Sequence, residues 1–269
     1  EGEGGEQESL FAMKTIQREK LNKTSLRDAV ENELAIHKEV SGFPMMTALV
    51  SSWFSALGIY YLLEFMPGGD LFSLLERRDF KPMGEPAVRY YAVCLTLAIE
   101  HLHQHNIIYR DVKPENVLMD KNGKAKISDF GLSKRIAPGS RTYTICGSRP
   151  YMAPEVSLNV GYDSGADWWG LGTVLYLLLS GELPFQDSAE ALMPNRRPKR
   201  MNKISNSARD LVQRLLTPNP SRRLGCMRQG AAEVRAHSFF LGVVWERYID
   251  GHIRPPFVPQ AGSNYFPSL

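Results

Sequence analysis

Cysteine is scarce: the 269 residues hold three, Cys94, Cys146 and Cys226. They are odd in number, far apart and in no Cys-x-x-Cys arrangement, which argues against a disulfide framework or structural zinc and for a reducing compartment. Long apolar runs are missing as well, since the longest, Leu171 to Leu179, is about half of a membrane span. No secretory signal opens the sequence, whose first residues are acidic and glycine-rich. Neither sign of charge dominates. The 32 Lys and Arg against 29 Asp and Glu leave +3, too little to point to nucleic acid or a polybasic membrane anchor. The expectation is a cytoplasmic protein, with nuclear access left open, that neither binds nucleic acid nor spans a membrane.

What is present suffices for a core. Hydrophobic residues make up 43% and charged ones 23%, close to a globular average, which excludes disorder as the main state. The length suits one large domain or two tightly joined lobes. Ser9 to Ile16 alternates like a strand, Ser25 to Val40 has a helical apolar face, and Ile59 to Phe65 is a short apolar strand. Pro67-Gly68-Gly69 then punctuates the sequence as a candidate hinge. Beyond it, Val88, Ala92, Leu95, Ile99 and Leu102 recur at helical steps, with Pro86 suited to the first turn. Trp168 to Leu179 is apolar nearly all round and reads as a central buried helix. Ser207 is the expected cap of a helix carrying Ala208, Leu211, Leu215 and Leu216. From Leu241 the sequence becomes rich in proline and aromatics, a tail more suited to wrapping than to forming a core.

The stretch Tyr109-Arg110-Asp111-Val112-Lys113-Pro114-Glu115-Asn116, followed by Asp129-Phe130-Gly131, carries the chemistry. Phosphoryl transfer depends almost wholly on positioning and charge stabilisation. Asp111 can orient an acceptor hydroxyl and take its proton. Lys113 can offset charge on the moving group, and Asn116 with Asp129 offers oxygen ligands to Mg²⁺. A lone Asp-Phe-Gly is usually a turn; the ordered set is far less easily a coincidence.

This set resembles the protein kinase family, and the resemblance runs nearly the whole length. Met152-Ala153-Pro154-Glu155 is similar to the end of an activation segment. Asp167-Trp168-Trp169-Gly170 resembles the start of the helix that anchors the catalytic loop, and Arg223 is placed to pair with Glu155. Ala12-Met13-Lys14 resembles the strand that presents the phosphate-binding lysine, with Glu33 as its partner and Glu31 as the rival. The implied fold is α+β and bilobal. A small β-rich lobe with one key helix spans 1–66, a larger mainly helical lobe 67–240, and a tail 241–269.

The finer pattern is similar to the AGC group, which includes the cyclic-nucleotide-dependent kinases: Tyr109 opens the catalytic loop, and Pro255-Pro256-Phe257-Val258-Pro259 resembles that group's tail. The resemblance implies an ATP- and Mg²⁺-dependent Ser/Thr protein kinase acting on protein or peptide substrates. Its activity would answer to an upstream kinase or a regulatory domain. Glu64 and Met66 would meet the adenine edge with Leu63 behind; Ala12 and Leu118 would sandwich the ring; Asp70 and the Glu115 carbonyl would lie near the ribose. Thr144 matches the regulatory phosphosite, with Arg110 and Lys134 as its cations. A weak preference for an upstream Arg follows from Asp70, because Leu177 and Pro150 stand where relatives place acids.

Some positions depart from the family. Gly2, Gly4 and Gly5 resemble only the first half of the phosphate loop, and too few residues precede Lys14 for two further strands. The expectation is therefore a longer natural chain, with residues missing after Gly5 and near Leu192. His37 stands where the family is usually apolar. It either loosens the stack onto Phe130, in which case His37→Leu raises basal activity, or packs as a neutral ring. The run Arg196 to Arg200 reads as a solvated loop rather than a targeting or docking patch. The competing readings are a pseudokinase scaffold and a small-molecule phosphotransferase.

Overall fold

The computed structural model describes residues 10–19, 24–186, 190 and 204–260. Alternating burial along Phe11–Gln17 makes the first strand, β1. It is followed by helix α1 (Thr24–Val40) and strands β2 (Leu49–Phe54) and β3 (Gly58–Glu64). Strand β3 lies between the other two, antiparallel to both. Strands β1 and β3 are shifted by a residue or two from the ranges the sequence suggests, since pairing rather than composition sets where a strand stops.

Helix α1 carries two apolar stripes. Val30 and Leu34 join Ile59 and Tyr61 in a small cluster on the sheet. Ile36 and Val40 belong instead to the large core that holds Ile107, Val117 and Phe130. The helix is thus packed on both halves of the molecule.

After the turn at residues 67–69 the chain is mainly helical: α2 (Leu71–Arg77) and α3 (Glu85–Gln104), the latter with Pro86 in its first turn as expected. Short strands β4 (Ile107–Ile108), β5 (Val117–Met119), β6 (Ala125–Ile127) and β7 (Lys134–Arg135) pair as two antiparallel ladders, β4 with β7 and β5 with β6. Helix α4 (Pro154–Ser157) precedes α5 (Gly165–Ser180), which is buried from Gly165 through Leu179. A Cβ on Gly170 would stand 2.8 Å from the Val112 Cβ, so only glycine lets α5 lie this close to the residue after Asp111.

Helix α6 (Asn206–Leu215) corrects one expectation. Its cap is Ser205, extended at φ −64° and ψ 158°, whose hydroxyl accepts from Ala208 N at 3.1 Å. Ser207 already lies inside the helix, 3.0 Å from the Ser205 hydroxyl. The backbone turns at Ser205, two residues before the expected cap. Beyond a last short helix, Trp245–Ile249, the tail runs along the β5–β6 hairpin. Phe257 packs on the large core, and a Cβ on Gly68 would come within 2.8 Å of Pro259. Among the described residues no helix is long and apolar enough to cross a membrane, and Cys94, Cys146 and Cys226 are free.

Candidate active site

The loop between β4 and β5 is hung from α5. Asp167, 1% exposed in the first turn of that helix, accepts from Tyr109 N at 2.9 Å and Arg110 N at 2.8 Å. His103 Nε2 lies 2.8 Å from the same carboxylate. These partners satisfy a carboxylate that would otherwise be costly to bury. They also hold Arg110 at φ 71°, a left-handed conformation that non-glycine residues rarely adopt.

The next residue, Asp111, is buried, and each of its oxygens has partners. Oδ1 accepts from the Ser148 hydroxyl at 3.1 Å and Ser148 N at 3.3 Å. Oδ2 meets Lys113 Nζ at 2.7 Å and Asn116 Nδ2 at 2.9 Å. Lys113 Nζ also donates to the Ser148 hydroxyl at 3.0 Å. Asn116 donates through Nδ2 to the Asp111 carbonyl as well, so the oxygen end of its amide is the one left for a cation. The structure brings Asp111, Lys113 and Asn116 together and adds Ser148. Sequence spacing gives no sign of that serine, which is 37 positions from Asp111.

A second cluster forms between β1, α1 and the Asp129 turn. Lys14 Nζ reaches Glu33 at 2.6 Å and Asp129 at 3.0 Å. Glu31, the rival partner, pairs with Arg27 at 3.0 Å instead. Burial lowers the affinity of Lys14 for its proton, but the two carboxylates outweigh it and the ammonium titrates above its ordinary value. Burial pushes Glu33 up in spite of Lys14. Asp129 is held below the usual carboxylate range: partial burial opposes this, and Lys14 with the Gly131 N–H overcomes it. Asp129 sits at φ 55°, a left-handed conformation that non-glycine residues rarely adopt.

The residues expected around a purine fall into two groups. Strand register pairs Ala12 with Leu63, and an isolated bridge pairs Asp70 with Leu118. Met66 is 2% exposed, and its carbonyl accepts from Gly69 N at 3.2 Å. The Glu64 side chain is taken by Ala48 N at 2.5 Å and Lys126 Nζ at 2.8 Å, a link from strand end to β6 that local sequence does not announce. Asp70 caps α2, accepting from Ser73 N at 2.7 Å and its hydroxyl at 2.8 Å, while Glu115 is exposed. Gly2, Gly4 and Gly5 lie outside the described residues, as do Leu192 and the run Arg196 to Arg200.

Thr144 is exposed, and its carbonyl accepts from the Tyr162 hydroxyl at 2.6 Å. Arg110 donates to that hydroxyl at 3.3 Å and to the Leu132 carbonyl at 2.5 Å. Lys134 reaches the buried Thr142 hydroxyl, at 3.0 Å, rather than Thr144. Both cations thus surround the segment without touching the Thr144 hydroxyl. At the segment's end Glu155 and Arg223, each buried, form a two-armed pair at 2.5 and 2.8 Å.

The protein kinase domain family matches residues 4–240. Among curated proteins the chain is 37% identical to the mouse (Mus musculus) cAMP-dependent protein kinase catalytic subunit PRKX, over 86% of this chain and 65% of that protein. It is 38% identical to human (Homo sapiens) ribosomal protein S6 kinase alpha-2, over 96% of this chain and 36% of that protein. It is 37% identical to rat (Rattus norvegicus) cGMP-dependent protein kinase 2, over 88% and 31%. The chain therefore spans about a third to two thirds of the length of these relatives. With the ordered loop, the Lys14–Glu33 pair and the Glu155–Arg223 pair in one molecule, and with relatives of the AGC group at this identity, the chain belongs to the protein kinase family.

Proposed function

We propose that the protein transfers the γ-phosphoryl group of ATP to Ser or Thr hydroxyls of protein substrates. The observation that carries this is Asp111, whose carboxylate is fixed by Lys113, Asn116 and Ser148 on a loop anchored to α5. Asp111 orients the acceptor hydroxyl and takes its proton as the new P–O bond forms and the bond to the ADP oxygen breaks. Lys113, next to both Asp111 and Ser148, supplies positive charge to the group in transit. Lys14, held by Glu33, binds phosphate oxygens on the other side of the cleft. The donor set suits Mg²⁺: the amide oxygen of Asn116 and the ionised carboxylate of Asp129 are hard oxygen ligands. Bound there, the ion would neutralise phosphate charge.

Two finer points belong to the same reading. Asp70 and Glu115 supply negative charge at the cleft edge, which favours one upstream Arg on the substrate. Phosphorylation of Thr144, whose carbonyl accepts from the Tyr162 hydroxyl that Arg110 also meets, would order the activation segment.

The test is peptide phosphorylation by wild type and Asp111→Asn. Loss of the base and of its orienting role lowers kcat on the order of a hundredfold or more. Nucleotide binding with no turnover in the wild type would mark a scaffold and sink the proposal. A peptide-library profile without Arg enrichment would remove the substrate preference alone.

A further inference from the structure

Asn32, Ile36 and Glu39 stand at i, i+4 and i+7 on α1 and so share one stripe of the helix. Each meets the other half of the molecule. Asn32 Nδ2 donates to the Ser133 carbonyl at 2.9 Å. Ile36 is 1% exposed and lies in the large core with Phe130. The Glu39 carboxylate pairs with the Arg135 guanidinium, whose other arm donates to the His105 carbonyl at 2.9 Å. Just past α1, Phe43 stacks on the His101 ring at 4.1 Å with 6° between planes.

Ser133 and Arg135 lie two and four residues past Gly131 of the Asp129-Phe130-Gly131 turn, and Ser133 N donates back to the Phe130 carbonyl at 2.9 Å. The helix that supplies Glu33 is therefore fastened to the segment that supplies Asp129. Asn32 is the neighbour of Glu33, so a shift that frees Asn32 from Ser133 also draws Glu33 off Lys14.

We propose that Asn32 and Glu39 are positioning residues that hold α1 on Ser133 and Arg135 and so keep Glu33 on Lys14. The idea rests on the phosphoryl-transfer reading above. The Glu39–Arg135 pair is half-exposed and modest by itself. Reversing one of its charges, however, sets two like charges at the joint.

Three measurements test this on the whole chain: hydrogen exchange of the α1 amides from Glu31 to Lys38, Mg-ATP affinity by calorimetry, and KM for ATP and peptide. Glu39→Arg speeds the exchange and raises the ATP constants by about fivefold, leaving peptide KM within about twofold. Adding Arg135→Glu to that variant restores both, and the split between ATP and peptide constants is what a merely structural role would not produce. Asn32→Ala moves the same readouts in the same direction. The proposal is overturned by unchanged exchange and ATP affinity in Glu39→Arg or by failure of the charge swap. A wild type that phosphorylates no peptide would remove the functional reading, while exchange and calorimetry would still decide the tether.

Discussion

His37 illustrates what a single side chain does once its surroundings are known. Its ring is 2% exposed and sits 4.7 Å from Phe130, with Nε2 2.9 Å from the Thr47 carbonyl. Burial lowers its pKa below the ordinary 6.5, so the neutral ring donates to that carbonyl at neutral pH. The ring packs against Phe130, and burial favours its neutral form. A pKa depressed by folding contributes stability above the unfolded value, and that stability is lost as pH falls through the ordinary imidazole range. His37→Leu is therefore expected to cost ~1 kcal/mol at about pH 7 through the lost hydrogen bond. The gap to wild type narrows toward about pH 5, because only the wild type must charge a buried ring. Urea midpoints at several pH values check this; a gap that widens on acidification would contradict it.

At the scale of elements, helices were more legible than their ends. The steps of Val88, Ala92, Leu95, Ile99 and Leu102 identify α3 because every one of them is buried. The start of α6 was misplaced, since Ser205 and Ser207 are equally good caps by residue type. Ser205→Ala is expected to cost ~1 kcal/mol, against a few tenths for Ser207→Ala. Thermal unfolding of the two variants side by side checks the assignment, and equal losses would refute it. In α1 the apolar pattern marks a helix but not its two separate stripes. Which stripe faces the sheet and which faces Phe130 depends on elements far away in the sequence.

At the scale of the whole molecule, the Glu155–Arg223 pair joins segments 68 residues apart. Arg223 is 0% exposed and also donates to the carbonyls of Gly165 at 2.9 Å and Thr217 at 3.0 Å. Removing one partner strands a buried charge, so Glu155→Gln or Arg223→Met should cost ~3–5 kcal/mol. Denaturant unfolding at neutral pH checks this, and a loss below about 1 kcal/mol would mean that the site collapses or admits water.

The sequence by itself determined the chemistry that is written in short spacings. Asp111, Lys113 and Asn116 share one loop, so the covalent chain keeps them together whatever the rest does. Tertiary structure decided what distance along the chain hides. Glu31 and Glu33 differ by two positions, about 200° around a helix, and only the packing of α1 turns Glu33 toward Lys14 and leaves Glu31 to Arg27. Likewise Ser148 reaches Asp111, and Lys134 reaches Thr142 rather than Thr144, because the activation segment folds back across the loop. Local spacing names the groups that can react; burial and helical phase decide which of them meet.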